Sequence, residues 1–193
     1  YMSLRTAINK SDANAVARLI KEGAPVEQRE SGFTHLCAAV RRRAVECVAV
    51  LLKAGADPNK WFPHYAPLHY AVISGSLECV KILLEGGARA DLVVEDTTPM
   101  DLALRHNLKR AYPLLLRAGA NFDPDCTLSE WAMPKSAYLR RIAQAGDFKA
   151  YERAHLAALT NMLSPKLSLP ARPARLVVEF YLRAPGCYPY TEA

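Results

Sequence analysis

Apolar positions recur along the first two thirds of the chain with a period of 32 residues. Leu4, Leu36, Leu68 and Met100 open the periods, and Ala7, Ala39, Ala71 and Ala103 follow three positions later. Twelve positions after each opening residue stand Val16, Val48, Val80 and Tyr112, and then come Leu19-Ile20, Leu51-Leu52, Leu83-Leu84 and Leu115-Leu116. Each period closes on a Gly-Ala pair, at Gly23-Ala24, Gly55-Ala56, Gly87-Ala88 and Gly119-Ala120. The three-and-four spacing predicts two short helices per period. The first carries a small alanine where a neighbouring helix must approach closely, and the second carries a Val-x-x-Leu-Leu stripe. Glycine ends the second helix because it adopts the left-handed conformation without steric cost. One such unit cannot bury its own apolar face, so the units must stack, and a stacked array acts through its surface.

After Phe122 the period fails. The sequence therefore predicts four units at about 1-28, 29-60, 61-92 and 93-122, a connector over 123-135, and a C-terminal helical segment over 136-193. Within that segment, "AYLRRIAQAGDFKAYERAHLAALTNMLS" predicts helices over 136–145 and 147–163, the second opened by an Asp147 cap and ended by Pro165. A Pro-rich stretch, "PKLSLPARP", leads to a third apolar helix over 173–184, closed by Pro185-Gly186. The apolar faces of this segment either cap the open end of the stack or dock on another protein; capping is the preferred expectation. The fold class expected for the whole is all-α.

One unit, "APLHYAVISGSLECVKILLEGGA" at residues 66–88, resembles the ankyrin repeat, a helix-turn-helix unit of about 33 residues whose first helix opens on Thr-Pro-Leu-His. "GFTHLCAAV" and "TTPMDLAL" are the corresponding openings of the second and fourth units, while "SLRTAINKSDANAVARLIKEGAPV" is a first unit without its leading turn. The resemblance covers about residues 3–122 and implies an ankyrin-repeat solenoid. It further implies that Pro67, Leu68, Thr98 and Pro99 shape helix entrances and that His69 hydrogen-bonds the next repeat's loop. Binding in such stacks generally uses the projecting turns and the exposed side of the first helices. Carried onto this chain, those places hold two candidate features. The first is a cationic stripe of Lys10, Arg41, Arg42, Arg105 and His106, suited to an acidic peptide. The second is the turn "WFPHY", where Trp61, Phe62, His64 and Tyr65 offer residue types common at interface hot spots.

Composition narrows the remaining choices. The chain has 193 residues with 51% hydrophobic and 23% charged side chains, which excludes wholesale disorder. Its net charge of +6 is uneven: residues 1–134 hold 16 basic and 15 acidic groups, residues 135–193 hold 9 and 4. No dense Lys/Arg block accompanies that bias, so nucleic acid is not the expected partner. No run reaches the roughly 18 apolar residues of a membrane span. Cys37, Cys47, Cys79, Cys126 and Cys187 are odd in number, with no CxxC and no histidine at metal-ligand spacing, which points to buried thiols in a reducing, cytoplasmic compartment and to no metal. A presequence ahead of Tyr1, and with it organelle import, stays compatible with this. There is no Gly-rich phosphate loop, HExxH or GxSxG, so neither catalytic residues nor cofactors are assigned.

The expected function is a non-enzymatic protein-protein interaction module, an adaptor or structural subunit of a hetero-complex. The partner is another protein with an acidic or aromatic-accepting surface. The alternative rests on "LSLPARPARLVVEFYL", which is similar to the later part of a SOCS box. That resemblance implies the substrate receptor of a cullin-type ubiquitin ligase recruited through elongin. The earlier part of such a box calls for Leu followed by Cys, and Thr160 stands where that cysteine is expected.

Overall fold

Each period folds as a pair of helices joined by a tight turn. The computed structural model describes residues 3–30, 32–61, 64–121, 137–146 and 148–167. The pairs are α1 (Leu4–Asn9) with α2 (Ala13–Lys21), α3 (His35–Arg41) with α4 (Val45–Lys53), and α5 (Pro67–Ser74) with α6 (Leu77–Glu85). The fourth is α7 (Pro99–Arg105) with a 3-10 turn, Lys109–Ala111, running into α8 (Tyr112–Arg117). The first helices α1, α3, α5 and α7 pack on one another in succession, and α2, α4 and α6 form a second row beside them. Ala7, Ala39, Ala71 and Ala103 are all at 0% exposure in the first row, where a larger side chain would hold the helices apart.

The helix starts follow their capping residues. Ser3, Asp12, Thr34, Ser76 and Thr98 each accept a hydrogen bond from the backbone N–H three residues on, and Thr98 with Asp101 completes a reciprocal capping box. The helix ends repeat one device. Gly23, Gly55, Gly87 and Gly119 take φ of 92°, 88°, 88° and 91°, and the alanine after each donates back to the carbonyl of Leu19, Leu51, Leu83 or Leu115. This is the Schellman closure, and it explains why glycine and a compact alanine travel together. The first helices close in the same way, through Ser11, Arg43, Gly75 and Asn107, all at positive φ between 52° and 69°. Only one of those four is glycine.

The projecting turns are short hairpins. In the second repeat β1 (Arg29–Glu30) pairs antiparallel with β2 (Phe33–Thr34). In the fourth, Val94 and Thr97 bridge across Glu95 and Asp96, both at positive φ as a tight two-residue hairpin turn requires.

The fourth repeat departs from the others at its second helix. Pro113 has no N–H to offer the carbonyl one turn earlier, so the chain enters α8 through the 3-10 turn. Tyr112 takes the place of Val16, Val48 and Val80 there and is buried, its hydroxyl having no hydrogen-bond partner among the described residues. Burial pushes that phenol up to about 12. Since a buried hydroxyl without a partner costs about 1–3 kcal/mol, Tyr112→Phe is expected to raise the thermal midpoint of the stack; a lowered midpoint in a melt followed by circular dichroism would refute the assignment.

The chain divides into two compact units, Tyr1–Ala132 and Met133–Ala193. In the second, α9 (Ala137–Ala145) packs on α10 (Phe148–Leu167), with Leu139, Ile142 and Phe148 buried. One expectation is corrected here: Pro165 does not end its helix, which continues to Leu167. So close to the C-terminus a proline forfeits a single bond, to the Asn161 carbonyl, and the last turn continues past it. The expected Asp147 cap, and the third helix over 173–184, fall outside the described residues.

Candidate protein-binding surface

The residue directly after Leu36, Leu68 and Met100 in the first helices bears on how neighbouring repeats are tied. In the third repeat it is His69, whose Nε2 lies 3.0 Å from the Thr97 carbonyl of the next turn. The ring is buried with no partner at Nδ1, so the proton sits on Nε2 and is donated to that carbonyl. Burial lowers the His69 pKa, against the opposing pull of the Thr97 bond and Asp101, and the ring stays neutral. In the second repeat Cys37 replaces it and points its thiol at the Tyr65 carbonyl, 4.0 Å away. Burial raises that thiol to about 11, which leaves it un-ionised and chemically quiet. In the fourth repeat Asp101 turns back into its own capping box.

A second set of ties was not anticipated from the sequence. Glu27 accepts from the Asp57 backbone N–H at 2.8 Å and pairs with Lys60. One period later Asn59 accepts from the Arg89 N–H at 2.8 Å and donates to the Gly87 carbonyl at 3.1 Å. Burial alone would push the Glu27 carboxyl up, yet the hydrogen bonds from Lys60 and Asp57 outweigh it and hold the group below its ordinary value. The 32-residue spacing of Glu27 and Asn59 was the available signal, masked by their different chemistry.

The candidate residues are distributed as follows. Trp61, at 53% exposure, stands on the turn of the third repeat, and Phe62 lies outside the described residues. His64 is exposed, its Nδ1 2.9 Å from Glu95 Oε1 on the next turn. Tyr65 is half-buried, stacked on His69 at 5.6 Å and edge-on to Tyr70 at 5.7 Å. Lys10, Arg41, Arg42, Arg105 and His106 are all exposed at the ends of first helices. They do not form a continuous stripe, because the matching places of the third repeat hold Ile73 and Ser74. The surface is therefore basic at repeats one and two, basic again at repeat four, and uncharged at Ile73 and Ser74 between them. Arg41 is further constrained: its guanidinium lies 4.2 Å from the Phe33 ring and 5.8 Å from the Tyr70 ring, and those rings meet edge-on at 5.9 Å.

Cys37, Cys47 and Cys79 are free and buried. Among the described residues, no group of three or more His, Cys, Asp or Glu side chains is placed to hold a metal ion, and no helix is long and apolar enough to cross a membrane.

Comparison with known families agrees with this geometry. A family model described as ankyrin repeats (3 copies) matches residues 63–126, and one described as ankyrin repeats (many copies) matches residues 35–84. No curated protein matches the chain. The matches span the second to fourth repeats, and α1 with α2 joins them through the same alanine row, the same glycine closure and the same stacking. Residues 35–126 of the chain are ankyrin repeats.

Proposed function

We propose that the chain is a non-enzymatic adaptor or structural subunit that grips a partner protein through its turns and first-helix ends, within a hetero-complex. Ankyrin repeats are generally protein-protein interaction modules. The observation that carries the finer reading is the sorting of exposed groups. Trp61, Ile73 and Val93 are the exposed large apolar residues among those described, and all lie in repeats three and four. Arg41, Arg42 and Lys10 gather at repeats one and two. A partner that places acidic groups toward the N-terminal repeats and an apolar or aromatic anchor toward the third fits both. A reducing compartment suits the three buried free thiols.

Crosslinking mass spectrometry on native extract with the full chain tests this. The expected crosslinks and interface map to the turns of repeats two to four and the ends of α3 and α5. Trp61→Ala, or the paired reversal Arg41→Glu with Arg42→Glu, is expected to weaken partner binding by more than about 1 kcal/mol while the stack stays folded. Unchanged recovery of every partner by both variants would reject this surface. The ubiquitin-ligase alternative rests on residues beyond 167, and Thr160 itself is buried, its hydroxyl donating to the Leu156 carbonyl at 2.8 Å. Stoichiometric co-purification of elongins would favour that alternative over a structural subunit.

A further inference from the structure

The first repeat breaks the pattern of neutral or self-capped residues at the tying position: where later repeats have Cys37, His69 and Asp101, it has Arg5. The Arg5 side chain reaches the same relative place as those of Cys37 and His69, the opening of the next repeat, and its Cζ lies 5.9 Å from the centre of the Phe33 ring. Arg41 approaches the same ring from α3 at 4.2 Å. Two guanidinium groups are thus drawn to one aromatic ring, which is itself fixed edge-on by Tyr70 and, through Tyr70, by Tyr65. Beside them is a cavity of about 180 Å³ lined by Arg5, Asn9, Ala38, Arg41 and Arg42.

Like charges gathered around a small hollow repel one another unless an anion sits among them, and the repulsion is stronger where water is partly excluded. Among the described residues no carboxylate forms an ion pair with Arg5, Arg41 or Arg42. Arg5 Nη1 is buried from solvent and has no hydrogen-bond acceptor among the described residues. A buried guanidinium N–H without an acceptor is costly, and supplying an oxygen to it is favourable in proportion. The Phe33 ring, fixed edge-on by Tyr70, holds the Arg5 and Arg41 guanidinium groups in place before any ligand arrives, so little of their side-chain freedom is lost on binding. The hollow is smaller than the roughly 300–1,000 Å³ of small-molecule pockets, which matches one charged group and not a cofactor.

We propose that the Arg5–Arg41–Arg42 pocket between α1 and α3 is an oxyanion receptor that captures one carboxylate or phosphate group carried on a partner's peptide chain. This rests on the interaction reading above and assigns it a specific anchor: a fork of guanidinium donors, with Asn9 at the rim, holds the oxyanion. Arg105, the last residue of α7, and His106, its C-cap, lie outside the pocket and supply no part of it.

The test uses the full chain, nuclear magnetic resonance of the arginine Nε–Hε signals, and two defined probes. One probe is blocked hexaglutamate with blocked hexaglutamine as its neutral match. The other is a blocked Gly-phosphoserine-Gly peptide, compared with its unphosphorylated form. Saturable shifts of the Arg5 and Arg42 signals are expected with at least one acidic probe and neither neutral one, and the tighter probe tells carboxylate from phosphate. Arg5→Gln and Arg42→Gln are each expected to weaken that probe at least ten-fold, and Arg5→Lys, which keeps the charge but loses the fork, by about three-fold. Lys21→Gln and Lys53→Gln, exposed residues of α2 and α4, change it less than two-fold. Arg42 is exposed at a helix end, so its variant reports on the pocket even where Arg5→Gln lowers stability. Absence of shifts with both acidic probes, or equal losses in the lysine controls, overturns the proposal. Capture of a native partner that Arg5→Gln and Arg42→Gln leave unweakened also overturns the pocket while leaving the interaction reading intact. Probe binding at the pocket by a chain that recovers no partner rejects the interaction reading and not the pocket.

Discussion

Leu83→Ala is expected to lower the stability of the repeat stack by about 3 kcal/mol, within the 2–5 kcal/mol range for truncating a buried leucine. Leu83 is at 0% exposure on α6, which packs against both α4 and α5. Removing its isobutyl group therefore opens a cavity in a two-sided interface. The equivalent substitution in the first repeat is expected to cost much less. Leu19 occupies the same place on α2 but is only half-buried. Leu19→Ala should cost about 1–2 kcal/mol, since less area leaves water on folding and the site collapses more easily. Urea denaturation of both variants, followed by helical circular dichroism, measures the difference. Equal losses at Leu19 and Leu83 would falsify the nearest-neighbour account, in which a repeat's stability depends on being flanked.

His69→Ala is expected to cost about 2 kcal/mol, from a cavity and a lost hydrogen bond together. The Thr97 carbonyl keeps its bond from the Val94 N–H at 3.0 Å, so it is not left bare, and the loss stays below that of the leucine. The sign of the pH dependence follows from the neutral ring. Burial, the largest cause, lowers the folded pKa below the ordinary 6.5, while the unfolded chain titrates near that value. Below about pH 6.5 the unfolded state therefore binds a proton that the folded state refuses. Stability is fully present above that pH, falls as the pH drops toward the folded pKa, and levels off beneath it. His155 in α10 is lowered in the same sense, by burial first and then by Arg141, and gives the C-terminal unit a dependence of the same sign. Melting of wild type and His69→Gln at pH 7.5 and pH 5 isolates the effect. The wild-type stack loses stability on acidification, and the variant loses less of it. An acid loss in His69→Gln as large as in wild type would place the titrating group elsewhere.

The same histidine shows how the two levels of description divide. Its bond to the neighbouring turn was implied by the family resemblance that Pro-Leu-His at residues 67–69 carries. The Cys37 contact with Tyr65 did not follow, since nothing in the bare sequence says that a thiol inherits an imidazole's place. Arg5 is the strongest instance. In sequence it is one basic residue among 25, and its tie to Phe33 emerges only when the repeats are stacked.

The period of 32 residues, the four helix pairs, the alanine row between first helices and the glycine closures are all legible in the chain itself. They repeat local physics, helical spacing and left-handed caps, which depends on residues only a few positions apart. The left-handed ends of α1, α3 and α7 at Ser11, Arg43 and Asn107 were not legible, because each residue tolerates that conformation only when packing on both sides demands it. Nor was the gathering of Arg5, Arg41 and Arg42 around one hollow. That arrangement joins side chains about 30 residues apart, and only the stacking of one repeat on the next brings such groups within reach of each other's charge.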